Sequence, residues 1–486
     1  MFNIFPEPIT LLGIAAVAIQ FALVTAVVLR VMLTRHPPGS SFAWILLTVI
    51  LPYVGFFLYL VLGEKTIGRW HARKLRKEQR KRRQAFRHIM HTEAKAPDKY
   101  RAISKMATRL GKYPLTDDSS LKLLDDTDET LVRLIQDINE AKKAIFMEFY
   151  IWDLGGKADD VSAALIRAAR RGVQCFVIVD DIGSSRFIKS EWFYMFKHEG
   201  IHIEKALPVS LLSAIFARAD IRLHRKIVVI DYKIAYSGSL NLVDPHFFKK
   251  NAHVGQWIDA MVRVKGELVA SLYHLIAFDW KVLTDSSIDF PAEPVWSYEY
   301  DPKDRATVAI VPSGPGTSDD ANQRIILEAI HSAKQSVEIV TPYFVPGESL
   351  TLALQNAALK GVNVKIVLTK KTDSPLVTFA SRRYFEDLLQ SGVHILEYEK
   401  GMLHTKGLVI DGDLSLFGTV NMDNRSMHIN YELMLLVFDK EFAIKLQRLI
   451  ALYQETCTEL CLRDWHKRPL TERMKEGACF LLSPLL

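Results

Sequence analysis

From about residue 121 onward, the chain alternates short apolar runs with stretches that have the apolar spacing of amphipathic helices. Short continuous runs are typical of buried strands, whereas apolar residues three and four positions apart are typical of helices. The order strand, helix, strand occurs at 145–181 and again at 337–369, and Gly172 or Gly361 ends the helix in each copy. The pattern therefore predicts an α/β protein with two repeats and central, mostly parallel sheets.

Two long uncharged runs, at 9–29 and 41–63, precede these repeats. Each run reaches the roughly 20 apolar residues that cross a bilayer core, and the sequence TRHPPGS between them contains two prolines that stop a helix. We therefore expect a transmembrane helical hairpin with spans at about 9–30 and 41–63. A cleaved signal peptide is the alternative, but no positive residue precedes the first run, which is also long for a signal sequence.

The formal charge of +7 comes from one segment next to the second run. Lys65 to Arg101 contains fourteen Lys and Arg against three acidic residues, so the rest of the chain is slightly acidic. Positive residues beside a span stay in the cytoplasm, which predicts a multi-pass protein with its body on that side. The segment either binds anionic headgroups or only sets the topology. A charge confined to it gives little support for nucleic-acid binding.

These observations divide the chain into four predicted parts. The parts are a transmembrane hairpin at 1–63, a basic juxtamembrane linker at 64–120, a first repeat at 121–300, and a second repeat with a C-terminal tail at 301–486. The four cysteines have neither zinc-type nor disulfide-framework spacing, and a reducing compartment fits them.

One polar motif occurs twice, and every shared position is displaced by 180 residues. Its two copies consist of His224, Lys226, Asp231, Ser239 and Asn241, and of His404, Lys406, Asp411, Thr419 and Asn421. Because symmetric repeats usually bring like surfaces together, each repeat is predicted to supply half of one site.

The spacing within the motif suggests how its side chains point. His and Lys are two apart and share one face of a strand, whereas Asp is seven positions from His and faces the other way. We therefore interpret Asp231 and Asp411 as buried, hydrogen-bonded organisers of the catalytic motif rather than direct reactants.

The combined inventory suits chemistry on a phosphodiester. Lysines neutralise phosphate oxygens, and the Asn amides, with Ser239 and Thr419 beside them, stabilise charge that develops at phosphorus. One neutral His attacks phosphorus to give a covalent phospho-histidine, while the other His protonates the leaving alkoxide and later deprotonates the nucleophile. Two histidines that titrate near neutrality fit such a double displacement.

Two carboxylates follow the motifs in strand-like segments. Asp259 lies 35 residues after His224, and Glu432 lies 28 residues after His404. We predict that each carboxylate orients the histidine of its own motif, the alternative being an ordinary salt bridge at a strand end. Metal ligation by the two histidines is disfavoured because the neighbouring lysines oppose a cation. No metal is therefore expected.

The two motifs resemble the paired HKD motifs of the phospholipase D superfamily. The apolar spans, the basic segment, YFVPG at 343–347 and the ending WHKRPLTER…FLLSPLL are similar to the family of bacterial cardiolipin synthases over essentially the whole chain. The resemblance implies an inner-membrane enzyme that transfers a phosphatidyl group from one phosphatidylglycerol to another without a metal, nucleotide or other cofactor. It also implies that His224 is the nucleophile and His404 the acid/base. The residues alone do not distinguish these two roles, because both motifs are equivalent.

Two other functions stay open at this point. A hydrolytic phospholipase D would use the same site with water as the acceptor, and a membrane-tethered binding protein would not need His224. Nucleases of the superfamily are less favoured, since its DNA-end-processing members lack the motif aspartate that both copies keep here. The expected partners are phosphatidylglycerol and membrane lipids rather than nucleic acid, and the oligomeric state is open.

Overall fold

The computed structural model describes residues 8–34, 38–63, 94–208, 220–284, 286–291, 305–315 and 320–483, together with Leu75, Lys77 and Trp296. The described residues belong to two compact units. One unit contains the N-terminal apolar helices, and the other contains both repeats. Apart from Leu75 and Lys77, the part of the basic segment before residue 94 lies outside the described residues.

The N-terminal unit contains three apolar helices, α1 (Pro8–Leu33), α2 (Pro38–Ile50) and α3 (Pro52–Leu62). α1 covers the first predicted span, and within the described ranges it is the one helix long and apolar enough to cross a membrane. The second predicted span is two helices rather than one, because Pro52 has no amide hydrogen and breaks the helix after Leu51. The chain bends so sharply there that a Cβ on Gly55 would collide with the backbone of Thr48.

The other unit has the predicted alternation of strands and helices. Its first part contains α4 (Arg101–Gly111), β1 (Thr116–Leu124), α5 (Thr127–Glu140), β2 (Ala144–Phe149), α6 (Lys157–Arg170), β3 (Gln174–Asp180), α7 (Ser185–Ile188), α8 (Glu191–His198), β4 (His202–Ala206), β5 (Lys226–Ile230), β6 (Ile234–Gly238), β7 (Trp257–Ile258), β8 (Met261–Gly266) and α9 (Leu268–Leu283). Its second part contains β9 (Arg305–Ser313), α10 (Ala321–Ser332), β10 (Ser336–Thr341), β11 (Phe344–Val345), α11 (Gly347–Leu359), β12 (Asn363–Thr369), α12 (Pro375–Arg382), α13 (Phe385–Gln390), β13 (His394–Tyr398), β14 (Met402–Leu403), β15 (Gly407–Ile410), β16 (Leu414–Gly418), β17 (Met422–Asp423), α14 (Asn424–His428), β18 (Glu432–Val437), α15 (Lys440–Gln454), β19 (Cys457–Glu459), α16 (Leu462–Trp465) and α17 (Leu470–Phe480).

Fifteen of the described strands form one sheet to which both repeats contribute. The strand order is β19-β13-β12-β10-β15-β16-β18-β9-β1-β8-β6-β5-β2-β3-β4. The repeats join at the antiparallel pair of β1 and β9, where Ser119 lies opposite Ala306. Outward from this junction the equivalent strands follow in the same order on both sides. The prediction of an α/β fold with two pseudo-symmetric repeats is therefore confirmed.

The prediction of mostly parallel sheets is wrong. In the described sheet only β2, β3 and β4, and their counterparts β10, β12 and β13, pair in parallel. Helical crossovers connect those strands, whereas β5–β6 and β15–β16 are hairpins and must be antiparallel. The hairpin turns place Asp231 and Asp411 at φ values of 52° and 51°, a left-handed conformation that aspartate tolerates better than most residues.

Each repeat buries an apolar core, and α4 packs in the core of the second repeat. Ile103 and Ala107, one helical turn apart on α4, are buried in the core of the second repeat although they precede the first repeat in sequence. The predicted linker at 64–120 therefore contains a packed helix, and its boundary at residue 121 falls inside β1. Burial of the Ile103 side chain alone contributes about 2 kcal/mol to folding.

Candidate active site

The two motif histidines lie just before equivalent strands, β5 and β15, and each is anchored to the other repeat. The backbone N–H of His224 donates to the carbonyl of Tyr431 at 2.9 Å, and that of His404 donates to the carbonyl of Ile258 at 2.8 Å. The flanking backbone pairs in parallel in both places, including β14 with β7. A short segment beside each histidine therefore pairs with the backbone of the other repeat, and this pairing brings both motifs together.

This pairing between the repeats determines which carboxylate contacts which histidine. Nδ1 of His224 lies 2.9 Å from Oε2 of Glu432, and Nδ1 of His404 lies 2.7 Å from Oδ1 of Asp259. Both carboxylates identified from the sequence therefore contact a motif histidine. The predicted pairing of each carboxylate with the histidine of its own motif is wrong. Glu432 directly follows Tyr431, which anchors His224, and Asp259 directly follows Ile258, which anchors His404.

The motif hydroxyls hold these carboxylates in place. Ser239 Oγ donates to Asp259 Oδ1 at 2.6 Å, and Thr419 Oγ1 donates to Glu432 Oε2 at 2.5 Å. The motif glycine before each hydroxyl allows this approach, since a Cβ there would collide with a backbone carbonyl of the neighbouring strand. The sequence grouped Ser239 and Thr419 with the phosphate-binding or orienting residues without separating the two roles. In the structure their hydroxyls are engaged with Asp259 and Glu432, the carboxylates beside the histidines.

Both histidines are buried, and burial lowers the pKa of each to about 4 despite the adjacent carboxylate. Burial would raise the pKa of Glu432 and Asp259, but the adjacent His and Lys side chains hold both pKa values below the ordinary range. At neutral pH each site therefore pairs a neutral imidazole with an ionised carboxylate. An ionised carboxylate only accepts hydrogen bonds, so Nδ1 carries the proton and Nε2 has a lone pair available for chemistry.

The two motif lysines are buried next to the histidines. Lys226 Nζ donates to the carbonyl of His224 at 2.7 Å, and Lys406 Nζ donates to the carbonyl of His404 at 2.6 Å. Within the described part of the chain this is the one hydrogen bond of each ammonium, which leaves donors for an anion. Burial lowers the pKa of Lys226 to about 8 and that of Lys406 to about 7.

The motif asparagines are also buried, but their contacts differ. Asn241 Oδ1 accepts a hydrogen bond from the Ile151 N–H at 3.3 Å, which orients its amide group. The side-chain oxygen of Asn421 has no hydrogen-bond partner among the residues that the structure describes. A buried acceptor oxygen without a donor is costly, so a hydroxyl group of a bound substrate, rather than its phosphate, is the natural partner of this oxygen.

Asp231 and Asp411 lie at the opposite ends of the motif strands, away from the histidines. Asp231 is about 16 Å from Lys226 along β5, at roughly 3.3 Å per residue. Its carboxylate accepts from the backbone N–H groups of residues 142–144 at 2.7 to 3.0 Å, and Asp411 does the same at residues 334–336. Both are organisers, as the odd spacing predicted, but they are partly exposed rather than buried.

This placement predicts a structural defect for loss of either aspartate. Asp231→Ala removes the acceptor of three backbone donors, so we expect a loss of about 1 to 3 kcal/mol in the free energy of unfolding. Thermal unfolding of the detergent-solubilised chain would measure it, with Asp231→Asn as the milder variant. A pair of variants as stable as the unchanged chain would contradict the assignment.

The sequence interpretation missed the aromatic walls of the site. The Tyr150 ring centroid lies 4.9 Å from that of His224, and the Trp257 ring centroid lies 4.5 Å from that of His404. Trp257 precedes Asp259 by two positions, so the shared strand face was a signal that would have identified it. Tyr150 directly follows β2 and resembles an ordinary core residue in the sequence. Ser426, which donates to Glu432 Oε1 at 2.8 Å, had no distinguishing pattern.

One described group of potential metal ligands, formed by Asp128, Asp244 and His246, contains none of the motif residues. Lys157 donates to both of its carboxylates, from Nζ to Asp128 at 2.9 Å and from its backbone N–H to Asp244 at 2.9 Å. The motif residues combine two lone pairs on imidazole nitrogens with two ammonium groups. This set suits an anionic phosphodiester rather than a cation.

Family comparisons match both the repeats and the N-terminal helices. Residues 134–272 and 326–451 match the family described as cardiolipin synthase, PLD-like domain, with one range in each repeat. Residues 22–64 match the family described as phospholipase D-nuclease N-terminal. Both motifs and both carboxylates fall within the first pair of ranges.

Similar proteins extend the likeness over nearly the whole chain. Cardiolipin synthase A of Edwardsiella ictaluri is 38% identical over 98% of this chain and 99% of its own length. Cardiolipin synthase A of Salmonella arizonae is 38% identical over 96% of this chain and 97% of its own length. The crystal structure of phosphatidylserine synthase of Haemophilus influenzae aligns with a TM-score of 0.61 over 79% of this chain and 100% of that one. At 15% identity, this last likeness concerns the fold alone.

Proposed function

We propose that the chain is a phosphatidyltransferase that converts two phosphatidylglycerol molecules into cardiolipin and glycerol, because it belongs to the cardiolipin synthase family of phospholipase D-like proteins. Members of this family are phospholipid-modifying enzymes, and the apolar N-terminal helices fit a membrane-associated protein. The observation that carries the proposal is the pair of buried, neutral histidines, each with Nδ1 on a carboxylate that follows the other motif.

In the first step, Nε2 of His224 attacks phosphorus of the donor phosphatidylglycerol. A P–N bond forms and the bond from phosphorus to the glycerol oxygen breaks. The phosphodiester anion raises the pKa of His404 when it binds, so His404 takes up one proton from solvent before this step while His224 stays neutral. His404 gives that proton to the departing oxygen, and free glycerol leaves.

In the second step, the headgroup of another phosphatidylglycerol takes the place of glycerol. His404, now neutral, accepts the proton of its terminal hydroxyl, and the hydroxyl oxygen attacks phosphorus. The P–N bond breaks, His224 returns to its neutral form, and cardiolipin is released. Each histidine keeps the tautomer that its role needs, because Glu432 or Asp259 fixes the proton on Nδ1.

Lys226, Lys406 and the motif asparagines stabilise the oxygens around phosphorus in both steps. Their groups are buried and fixed before the substrate arrives, which makes their electrostatic stabilisation strong and avoids reorganisation in the transition state. A site this buried also limits water, which competes with the acceptor alcohol.

The lysine environments predict an alkaline limit on activity. Burial places the pKa of Lys406 at about 7 and that of Lys226 at about 8, so their charges disappear as pH rises through this range. Because His404 has to gain a proton before the first step, kcat/KM, which reports the free enzyme, already declines above about pH 4. We expect the decline to become steeper above about pH 7 to 8, where the lysine charges are also lost. On the acid side, kcat/KM should fall below about pH 4, where the nucleophile His224 becomes protonated. A pH profile on vesicles would measure both limits, and a slope that stays unchanged from pH 5 to pH 9 would contradict the lysine limit.

The function is tested with the full chain in vesicles that contain acyl-labelled phosphatidylglycerol. Cardiolipin and free glycerol in equal amounts are the expected products. Phosphatidic acid without cardiolipin would identify the protein as a hydrolase, and no conversion at all would favour a binding protein. A companion sample with Glu399→Gln, a half-exposed residue paired with Lys370 on the surface, serves as the control and should retain activity.

The finer localisation is also a proposal. We place the protein in the bacterial inner membrane as a multi-pass protein, with α1 and the bent α2–α3 segment crossing and the catalytic body in the cytoplasm. The fourteen basic residues at 65–101 support this orientation. Reporter fusions after residue 36 and after residue 100 would test it, since only the second reporter should be cytoplasmic.

A further inference from the structure

An acidic side chain that the proposed chemistry does not use lies at the edge of the site. Asp373 is in the loop after β12, four residues beyond its end. Thr369, the last residue of β12, donates from Oγ1 to the carbonyl of Leu403 at 2.9 Å, directly before His404. The loop therefore starts beside the catalytic histidine, at the carboxyl end of a parallel strand where α/β proteins commonly bind ligands.

Asp373 is held by donors from both repeats. Tyr343 OH donates to its Oδ1 at 2.5 Å, and Lys249 Nζ donates to its Oδ2 at 2.7 Å. Lys249 Nζ lies 5.3 Å from the ring centroid of Trp257, the ring that packs on His404. The Asp373 side chain is 13% exposed, so a small group can reach it.

The Asp373 carboxylate is ionised, and it lies near the expected position of the substrate phosphate. Burial would raise the pKa of Asp373, but Lys249, Tyr343 and His404 hold it below its ordinary value. Burial raises the pKa of Tyr343 well above its ordinary value, so the phenol keeps its proton and stays a donor. A carboxylate repels phosphate oxygens and instead accepts hydrogen bonds from hydroxyl groups. With one bond already on each oxygen, lone pairs are left for one or two further donors.

The equivalent position in the first repeat has different chemistry. Ser184 follows β3 by four residues, as Asp373 follows β12. Its hydroxyl is engaged with the backbone, donating to the Tyr150 carbonyl at 3.0 Å and accepting from the Trp152 N–H at 2.9 Å. The carboxylate is thus on the side of His404, the histidine assigned to the leaving and the entering alcohol.

We propose that Asp373, positioned by Tyr343 and Lys249, forms a subsite for the neighbouring hydroxyl of a 1,2-diol. The inference rests on the proposed function, in which a glycerol group leaves the donor and another enters on the acceptor. The two groups occupy the same place in turn, because the second step is the reverse of the first with a different alcohol. Asp373 binds the hydroxyl next to the reacting oxygen and thereby selects glycerol headgroups over simple alcohols.

The test uses two soluble acceptors that differ by this one hydroxyl. The full chain, in vesicles with acyl-labelled phosphatidylglycerol, receives equal concentrations of 1,2-propanediol and 1-propanol, and mass spectrometry separates the two phosphatidyl alcohols. We expect the unchanged chain to prefer the diol about tenfold, the typical effect of one hydrogen bond in a site built for it. Asp373→Asn should reduce that preference to about twofold.

Two further variants make the result specific. Tyr343→Phe keeps the carboxylate but removes one donor, so we expect an intermediate preference even if Asp373→Asn folds poorly. Glu399→Gln, at a neighbouring surface pair, should leave the product ratio unchanged. An Asp373→Asn protein that slows both alcohols equally would overturn the subsite and leave a structural ion pair. So would an unchanged chain that makes cardiolipin but shows no preference, whereas absence of cardiolipin would overturn the proposed function and the subsite together.

Discussion

His224→Ala is expected to give a folded protein that forms no phospho-enzyme and makes no cardiolipin. The loss in kcat should be on the order of 10⁴-fold or more, as for other enzymes that lose a covalent nucleophile. The physical reason is the bare Nε2 lone pair, which Glu432 enforces by holding the proton on Nδ1 at 2.9 Å. The alanine variant keeps the lysines and asparagines, so it should still bind phosphatidylglycerol.

A donor with a good leaving group separates the roles of the two histidines. Phosphatidyl-p-nitrophenol needs no general acid to depart, so His404→Ala should release about one nitrophenol per enzyme in a rapid burst. The burst should then stall, because the phospho-histidine has no base to activate an acceptor. His224→Ala should show no burst at all. If the burst were lost in His404→Ala and kept in His224→Ala, the two roles would be exchanged.

The control for both variants is a histidine outside the site. His394 is half-exposed and pairs with Glu459 at 2.7 Å on an edge strand. His394→Ala should keep the burst, the steady-state rate and the cardiolipin yield. A loss there comparable to that of His224→Ala would show that histidine substitutions act through folding rather than chemistry.

The doubled motif made a shared site predictable from the sequence, because identical spacing in two repeats implies equivalent strands. Those strands, β5 and β15, are where the apolar runs after each lysine place them. The odd spacing also separated Asp231 and Asp411 correctly from the histidines. Their partial exposure depends on the hairpin turns. Asp231-Tyr232 has no strong turn signal, whereas Asp411-Gly412 is a typical hairpin pair and could have predicted an exposed aspartate in the second repeat.

The exchange of carboxylates was beyond sequence reasoning. Separations of 35 and 28 residues make the partner in the same motif look natural, and no local pattern shows that backbone segments cross between repeats. The crossing is a tertiary property, visible only where Leu223 pairs with Tyr431 and β14 pairs with β7. By contrast, Pro52 was a local signal for the break in the second apolar run. The prediction of one continuous span relied on hydropathy and did not take this proline into account.

In the crossed pairs, Glu432 contacts His224 and Asp259 contacts His404. We therefore expect substitutions of the two carboxylates to impair different steps. Glu432→Gln should abolish most of the burst with phosphatidyl-p-nitrophenol, because an amide beside His224 no longer fixes the proton on Nδ1. Asp259→Asn should keep the burst and slow the steady state, because it disturbs His404 instead. Each loss should be about 10³ to 10⁴-fold, the size seen when the acid that orients a catalytic histidine becomes an amide.

Matched variants of the supporting hydroxyls give the same contrast in milder form. Thr419→Val removes the donor to Glu432 and should slow the burst, whereas Ser239→Ala removes the donor to Asp259 and should slow only turnover. Each loss should be about tenfold, since one hydrogen bond to a charged group is removed. If each carboxylate instead served its own motif, Asp259→Asn and Ser239→Ala would suppress the burst, and Glu432→Gln and Thr419→Val would spare it. The burst amplitude in these four variants therefore decides between crossed and uncrossed pairs, independently of how much cardiolipin each one makes.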